Sequence, residues 1–200
     1  MSEISDRPTV GLRERKKART RAAIQAHALR LFGEQGYDAT TVQQIIEEAE
    51  VSESTFFRYF PTKGDVVLSD EFDPLIVDAF LSQPPELRPI QALRAAFRRV
   101  FDHLSDQEVS EQQDRTQLIL SVPELRARML DQFASAMQML AEALAERTGR
   151  RPEDMAVRTF AGAVVGAVVA VTFAAVDEPT ADFATLLDEV MAHLEAGLDL

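Results

Sequence analysis

Apolar side chains recur every three or four positions along most of the 200-residue chain, which is the spacing of one face of an α-helix. No alternating pattern typical of a strand extends beyond a few residues. Prolines, glycines and helix-capping residues divide the apolar pattern into segments. The sequence therefore predicts an all-α fold of about nine helices.

Two short segments around residue 50 predict a helix-turn-helix. Thr41 is a good N-cap for a helix that runs to about Ala49, and Ser52 caps a second helix that ends at Pro61. Only two residues separate the two helices. Because the second helix of this motif enters the DNA major groove, the segment indicates a DNA-binding protein.

The segment before this motif predicts a basic helix over residues 12–34, ended by Gly36. Its basic residues are Arg13, Arg15, Lys16, Lys17, Arg19, Arg21 and Arg30. Residues 1–63 carry 10 basic and 9 acidic residues and residues 64–200 carry 11 and 24, so the net charges are +1 and −13. The overall charge of −12 is compatible with DNA binding, because salt limits the reach of distant charges to about 8–10 Å.

This order of elements resembles the DNA-binding domain of the TetR family of bacterial transcriptional regulators. The matching residues are Ala28, Leu31, Phe32, Gly36, Thr41, Ile45, Ala49, Val51, Ser52, Thr55, Phe60 and Lys63. A spaced pattern of this length is far more specific than a single short motif. The resemblance implies a three-helix helix-turn-helix domain over residues 1–62, followed by a helical ligand-binding and dimerisation domain over residues 63–200.

Two positions depart from the family pattern. Glu50 stands where the family usually has Gly, and a non-glycine residue with positive φ costs about 1 kcal/mol. Either Glu50 accepts that strain or the turn differs slightly. Phe57 stands where the family usually has Tyr, which removes a hydroxyl donor for a phosphate, although the ring can still contact a thymine methyl.

The residues expected to contact DNA lie at helix starts and along the second helix of the motif: Thr41, Ser52, Glu53, Ser54, Thr55, Phe57, Arg58, Tyr59 and Lys63. Arg58 is the best candidate for a bidentate contact to guanine. Thr41 and Lys63 lie at helix N-termini, where backbone N–H groups and the helix dipole favour a phosphate. Tyr59 would add a hydroxyl donor.

The rest of the chain predicts a helical body. A helix from about Lys63 is expected to break or kink at Pro74, because proline cannot continue the helical hydrogen bonding. Further helices are expected to begin near Ile90, Ser110, Pro123, Pro152 and Phe183.

Aromatic and methionine side chains of this body are candidates for lining an inducer pocket: Phe97, Phe101, Met129, Phe133 and Met137. Flat Phe and flexible Met suit adaptable apolar pockets, although the same residues would equally serve as core. The body faintly resembles family members thought to bind acyl-CoA-like ligands, whose phosphates would need arginine. The arginines available for that contact, or else exposed on helix faces, are Arg94, Arg98, Arg126 and Arg128.

Residues 155–176 predict a helix without a polar face, which must be covered on several sides. Its small residues allow close packing and are Ala161, Gly162, Gly166, Ala167 and Ala170. The resemblance implies that the last two helices pair with their copies in a homodimer, whereas a monomer could also bury such a helix in its own bundle. The longest mostly apolar run, residues 160–176, is shorter than the roughly 20 residues of a membrane span, so we expect a buried helix.

Other classes of function have little support in the sequence. The absence of Cys excludes a disulfide scaffold, a thiol nucleophile and a thiolate metal site. The three His residues are isolated, and no metalloprotease, phosphate-loop or nucleophile-elbow motif is present. An enzyme and a purely structural helical dimer are the alternatives. We expect no catalytic residue, metal or cofactor, no secretory signal and a cytoplasmic location.

The sequence therefore predicts a homodimeric transcriptional repressor that binds a palindromic double-stranded DNA operator. We expect the repressor to release this operator when a small apolar inducer, with acyl-CoA-like compounds among the candidates, binds to the helical body.

Overall fold

The computed structural model describes residues 12–69, 72–102, 104–177 and 182–198. These residues form ten α-helices and no strand, which confirms the all-α prediction. The helices are α1 (Leu12–Gln35), α2 (Val42–Glu48), α3 (Glu53–Tyr59), α4 (Lys63–Leu68), α5 (Phe72–Leu81), α6 (Pro89–Phe101), α7 (Asp106–Ser121), α8 (Pro123–Thr148), α9 (Met155–Asp177) and α10 (Phe183–Ala196). The chain divides into two compact units between Val67 and Leu68.

Several helix starts differ from the predicted ones. α5 includes Pro74 in its first turn, where a missing N–H interrupts no helical hydrogen bond. α4 and α5 are separate helices, so the described residues form ten helices, in line with the predicted count of about nine. α7 begins earlier than predicted because Ser105 and Glu108 form a capping box. α9 begins three residues after Pro152, which lies in the preceding turn.

The N-terminal unit packs α1 against α2 of the helix-turn-helix. Its buried side chains are Ile24, Ala28, Phe32, Tyr37, Ile45, Ile46, Phe56, Phe60, Val66 and Val67. α4 belongs to this unit, since Val66 and Val67 are fully buried and Gln25 Nε2 donates to the Val66 carbonyl at 2.9 Å. The unit therefore extends five residues beyond the boundary predicted after Thr62.

The turn between α2 and α3 holds Glu50 in the left-handed conformation, with φ of 51°. The Glu50 N–H donates to the Glu47 carbonyl at 3.2 Å, and the Val51 N–H donates to the Ile46 carbonyl at 3.2 Å. Of the two alternatives, Glu50 thus accepts the conformation that glycine usually takes. At the end of α1, Gly36 has φ of 89° and stops the helix as predicted.

The C-terminal unit is centred on α9, which packs against α8 and α10. α6 packs against α5 and α10, and α7 packs against α8 and α9. The largest side chains that these helices bury completely are Phe80, Leu93, Leu125, Leu187, Met191 and Val157. Their apolar faces together form the core of this unit.

One arginine fixes the connection between α5 and α6. Arg147 of α8 donates to the carbonyl of Gln83 at 3.0 Å and of Leu87 at 3.2 Å, with further bonds to the carbonyls of Phe80 and Pro84. Its guanidinium also lies over the Phe80 ring, 5.3 Å from the centroid. Since a guanidinium carries five N–H donors, one side chain satisfies several loop carbonyls that no helix can bind.

We expect Glu50→Gly to raise the stability of the N-terminal unit by up to about 1 kcal/mol, because glycine adopts positive φ without strain. Glu47→Gly, inside α2, should lower the same stability by about 1 kcal/mol. The chain has two Tyr and no Trp, and Tyr37 and Tyr59 both lie in the N-terminal unit. Urea titration followed by tyrosine fluorescence therefore measures the unfolding of this unit. A loss of stability in Glu50→Gly would contradict the inference that the Glu50 backbone is strained.

Candidate DNA-binding surface and ligand cavity

The exposed face of α3 is the candidate DNA-reading surface. Phe56 and Phe60 are fully buried and hold α3 in the N-terminal unit, and their ring centroids lie 6.0 Å apart. The predicted contact residues that are exposed on the other side are Ser52, Glu53, Ser54, Phe57 and Arg58. Thr55 and Tyr59 are half-buried at its edges. The structure thus brings seven of the nine predicted DNA residues onto one short segment.

Both helices of the motif begin at the predicted caps. The Thr41 hydroxyl accepts from the Gln44 N–H at 3.2 Å, and Gln44 Oε1 accepts from the Thr41 N–H at 2.8 Å. The Ser52 hydroxyl accepts from the Thr55 N–H at 3.2 Å. These bonds fix where α2 and α3 start, and Thr41 remains exposed at the start of α2.

Arg58 is held against the aromatic ring beside it. Its guanidinium lies 5.1 Å from the centroid of the Tyr59 ring, and its side chain is exposed. A cation–π contact at the surface restricts the conformations of the arginine without removing its N–H donors from solvent. The planar guanidinium can therefore present two parallel donors to an acceptor pair such as O6 and N7 of guanine.

Only some of the basic residues of α1 are exposed and available for contact with DNA. Lys16, Lys17 and Arg19 are exposed, whereas the side chains of Arg13 and Arg15 lie outside the described residues. Arg30 pairs with Glu34 at 2.7 Å and also with Glu48 of α2. Arg21 lies over the Phe60 ring at 5.7 Å. The end of α1 nearest the N-terminus therefore supplies the exposed positive charge.

Lys63 points into the N-terminal unit and not toward the surface expected to meet phosphate. Its Nζ donates to the Tyr37 carbonyl at 2.8 Å and to the Thr40 carbonyl at 3.0 Å. The ammonium also lies 4.1 Å from the centroid of the Tyr37 ring. Two of its three protons are thus directed at the backbone after α1, where the chain turns between Gly36 and Thr41. The geometry gives Lys63 a structural role, which the lysine's place near a helix N-terminus did not reveal.

The C-terminal unit contains a cavity of about 810 Å³. It lies among α5 to α10, and the predicted ligand residues Phe97, Phe101, Met129 and Phe133 all line it. Met137 does not; its side chain is 37% exposed and its sulfur lies against Gly162 of α9. On α8 the cavity-facing positions include Gln132, Phe133, Ala136, Met139 and Leu140, so Met137 falls on an adjacent face.

Two of the arginines that were candidates for contact with ligand phosphates instead form ion pairs with a single carboxylate. Arg94 donates Nε and Nη2 to Asp188 of α10 at 2.7 and 2.6 Å, and Arg98 donates the same pair of atoms at 2.7 and 2.8 Å. These four hydrogen bonds hold the pKa of the Asp188 carboxyl far below its usual range. Arg94 and Arg98 therefore join α6 to α10 and do not present free guanidinium groups to the cavity.

A further cavity residue is one that the sequence did not single out. Arg115 of α7 is 8% exposed and lines the cavity. Its Nη1 donates to Gln112 Oε1 at 3.1 Å. α7 carries many polar residues and reads as a surface helix, so the inward position of Arg115 follows only from how α7 packs on α8 and α9.

Two further properties bear on the kind of site. Within the part of the chain that the structure describes, no group of three His, Cys, Asp or Glu side chains is arranged to hold a metal ion. In the same part, one helical stretch, Met155–Ala175, has the length and apolar composition of a membrane span, a test that core helices of soluble proteins also pass.

Comparisons with known proteins agree with both halves of this description. A family model described as bacterial regulatory proteins of the tetR family matches residues 24–69, and one described as the MftR C-terminal domain matches residues 87–199. The transcriptional regulator TcmR of Streptomyces glaucescens is 36% identical over 151 residues, which cover 72% of this chain and 67% of TcmR.

Two more similarities extend over nearly the whole chain. The mycofactocin biosynthesis transcriptional regulator MftR of Mycobacterium tuberculosis is 26% identical over 92% of this chain and 94% of its own length. The solved structure of the fatty acid degradation regulator FadR from Bacillus halodurans superposes with a TM-score of 0.58, at 24% identity, over 90% of this chain and 96% of FadR. The latter similarity establishes the fold.

The position of Lys63 predicts a stability effect. Lys63→Met keeps the length of the side chain but removes both hydrogen bonds to backbone carbonyls, so it should lower the stability of the N-terminal unit by about 1–3 kcal/mol. Lys16→Met, on the exposed face of α1, is the matched control and should change it by less than about 0.5 kcal/mol. Urea titrations with tyrosine fluorescence measure both, and equal midpoints for the two variants would rule out the structural role.

Proposed function

Because this chain belongs to the TetR family of bacterial DNA-binding transcriptional regulators and is not an enzyme, we propose that it acts in the cytoplasm as a homodimeric repressor that a small molecule releases from its operator. The observation that carries this proposal is the pairing of an exposed, capped reading helix with a large, mostly apolar cavity in one chain. A purely structural helical dimer would need neither of them.

In the proposed complex α3 enters the major groove. Glu53, Ser54, Thr55, Phe57 and Arg58 are the side chains that reach base edges, with Arg58 on a guanine and the Phe57 ring on a thymine methyl. This assignment is supported by the exposure of Arg58 and of the Phe57 ring, which is 44% exposed despite its apolar character.

Phosphate contacts would come from the edges of the same surface. Thr41, Ser52 and Tyr59 place hydroxyl and backbone N–H donors near the starts and end of the two helices of the motif. Lys16 and Arg19 add positive charge from α1. Lys63 contributes indirectly, by holding the backbone that leads into Thr41.

We infer that α9 and α10 pair with the same helices of a second copy. Exposed residues of α9 recur at helical spacing and form one face, which we call the α9 outer face: Thr159, Ala163, Gly166, Ala170 and Phe173. In the single chain only 28% of the most apolar stretch of α9 is buried, so much of this helix lacks a cover. A two-fold dimer covers the face with its own copy and places two reading helices on one palindromic operator.

The ligand would bind in the cavity of the C-terminal unit. A volume of about 810 Å³ falls within the range of pockets that enclose small molecules, and Phe97, Phe101, Met129 and Phe133 give it an apolar surface. An acyl chain would suit this lining. A coupling of about 1–3 kcal/mol between the cavity and the reading surface would lower operator affinity about 5–150-fold.

The DNA-reading assignment predicts a change in sequence preference. Arg58→Ala should relax the preference at one position in each half-site and cost about 1–3 kcal/mol per contact, because a bidentate guanine contact is lost. Lys16→Ala, the control for phosphate contact, should weaken all sequences about equally and reduce the salt slope by about one. Selection of bound duplexes from a random pool gives the sequence preference, and affinities for one selected duplex at several salt concentrations give the salt slope. An Arg58→Ala motif identical to that of the wild type would disprove the assignment.

The dimer assignment predicts a loss of assembly without a loss of fold. Among the described residues, no heavy atom outside its chain neighbours and its own helix backbone lies within 4 Å of a Cβ built on Gly166, so a side chain there has room within a single chain. Against a second copy, Gly166→Leu should cost about 1–3 kcal/mol per site, and a two-fold interface contains the site twice. Gly33→Leu, equally unhindered on α1, is the control. Sedimentation should show monomers only for Gly166→Leu, and a stable dimer of that variant would place the interface elsewhere.

A further inference from the structure

Four phenylalanine rings lie beside one another in the cavity lining, and we call them the Phe101 cluster: Phe72 of α5, Phe97 and Phe101 of α6, and Phe183 of α10. The centroid of the Phe101 ring lies 5.4 Å from that of Phe72, 5.4 Å from that of Phe183 and 6.2 Å from that of Phe97. Phe97 and Phe101 are stacked with 28° between their planes, and Phe183 meets Phe101 edge to face at 62°. Since these are the arrangements that aromatic rings favour, the cluster is a preformed aromatic surface.

A fifth ring lines the same cavity from another helix. Phe133 belongs to α8 and is half-buried, and within the described part of the chain it makes no ring–ring contact. The aromatic surface of the cavity therefore has two separate parts, the Phe101 cluster and Phe133. A ligand ring that reaches both parts would make aromatic contacts that the folded chain alone does not make.

A flat aromatic ligand gains more from such a lining than an aliphatic ligand of the same size. Both kinds of ligand gain from the removal of apolar surface from water. An aromatic pair adds an attraction between the ring quadrupoles, which corresponds to an affinity gain of about 2–12-fold for each ring contact. The two parts of the aromatic surface offer at least two such contacts, so the lining favours a ring system over an acyl chain.

The charged residues of the lining disfavour a negatively charged ligand. Arg115 is the one basic residue among the described residues that line the cavity, and it is engaged within the protein, in part through the hydrogen bond from its Nη1 to Gln112. Four carboxylates also line the cavity: Asp73, Asp102, Asp114 and Asp182. An anion that entered would leave water without a free cation to pair with, and it would be repelled by these carboxylates.

We propose that the cavity binds a flat aromatic molecule without negative charge, whose ring system contacts both Phe133 and the Phe101 cluster. The proposal rests on the proposed function in that it takes the cavity to be the ligand site, and it specifies the chemical class of the ligand.

Three compounds with one carbon skeleton separate the contribution of the aromatic rings from those of apolar area and charge. 2-Naphthol is flat and uncharged at pH 7, decahydro-2-naphthol is its saturated and puckered analogue, and naphthalene-2-sulfonate is flat and anionic. Calorimetric titrations use the full chain as wild type, Phe101→Leu and Phe133→Leu. Phe160→Leu is the matched control, because Phe160 is a half-buried residue of α9 that does not line the cavity.

We expect the wild type to bind 2-naphthol at least about fourfold more tightly than decahydro-2-naphthol, because two ring contacts each contribute at least about twofold. Phe101→Leu and Phe133→Leu should each reduce this ratio by about 2–12-fold, and Phe160→Leu should leave it unchanged. Naphthalene-2-sulfonate should bind the wild type at least about tenfold more weakly than 2-naphthol. A general loss of packing lowers both affinities in a variant, so the ratio reports the aromatic contacts. If one leucine variant does not fold, the other one still tests the proposal.

Several results would overturn the proposal. These are equal affinities of the wild type for 2-naphthol and its saturated analogue, a ratio that both leucine variants retain, and a sulfonate that binds as tightly as the naphthol. Ala136→Trp fills part of the cavity, because Ala136 lines it, and should weaken 2-naphthol and its saturated analogue together. If this variant binds both as well as the wild type does, or if the wild type binds none of the three compounds, the cavity is not the ligand site.

The failure of the ligand class and the failure of the proposed function are distinguished by a second measurement. The affinity of the wild type for a selected operator duplex is measured with and without saturating 2-naphthol, which should lower it. If 2-naphthol binds with the expected ratios but leaves operator affinity unchanged, the proposed release from the operator fails and the ligand class stands. If decahydro-2-naphthol binds as tightly as 2-naphthol and both release the operator, the proposed function stands and the aromatic ligand class fails.

Discussion

The C-terminal unit depends on a helix that has no polar face to offer to water. α9 runs for 23 residues, from Met155 to Asp177, and its apolar side chains must be covered on every side. α7, α8 and α10 pack against it, and Val164, Val168 and Thr172 line the cavity. The α9 outer face is what remains. One constraint, the burial of a single helix, thus determines the neighbours of α9, the wall of the cavity and the surface available to a second copy.

The N-terminal unit depends on a different constraint. Its helix α3 has seven residues, which is too short to be stable alone, so contacts with the rest of the unit must hold it. Phe56 and Phe60 supply the buried anchor, and Ser52 supplies the cap. The backbone that leads into α2 is held from the other side by Lys63 and by the Thr40 hydroxyl, which donates to the Gly36 carbonyl at 2.8 Å. The reading surface therefore has a fixed shape before any DNA is present, which favours specific contact by lowering the entropy lost on binding.

Local signals in the sequence predicted the fold and much of the candidate site, whereas properties that depend on packing between helices were missed. Thr41 and Ser52 cap their helices as expected because a cap bond joins residues only three positions apart. The side chains of Lys63 and Met137 point elsewhere than predicted, and Arg115 lines the cavity although no role was predicted for it. Each belongs to a helix whose rotation about its own axis is set by the helices around it. One position along such a helix therefore decides whether a side chain faces the cavity, the core or solvent. The sequence shows which residue types are present, but the direction in which each side chain points depends on that rotation.

The ion pairs of Asp188 with Arg94 and Arg98 give the cavity one stiff wall. Fork-shaped contacts to one carboxylate fix both the distance between α6 and α10 and their rotation about each other. In the proposed ligand response, a molecule that enlarges the cavity would meet a pair of helices that are tied to each other, so the other walls would yield first. α6 and α10 would then serve as a fixed reference frame, against which the size of a bound molecule is converted into displacement of the remaining helices.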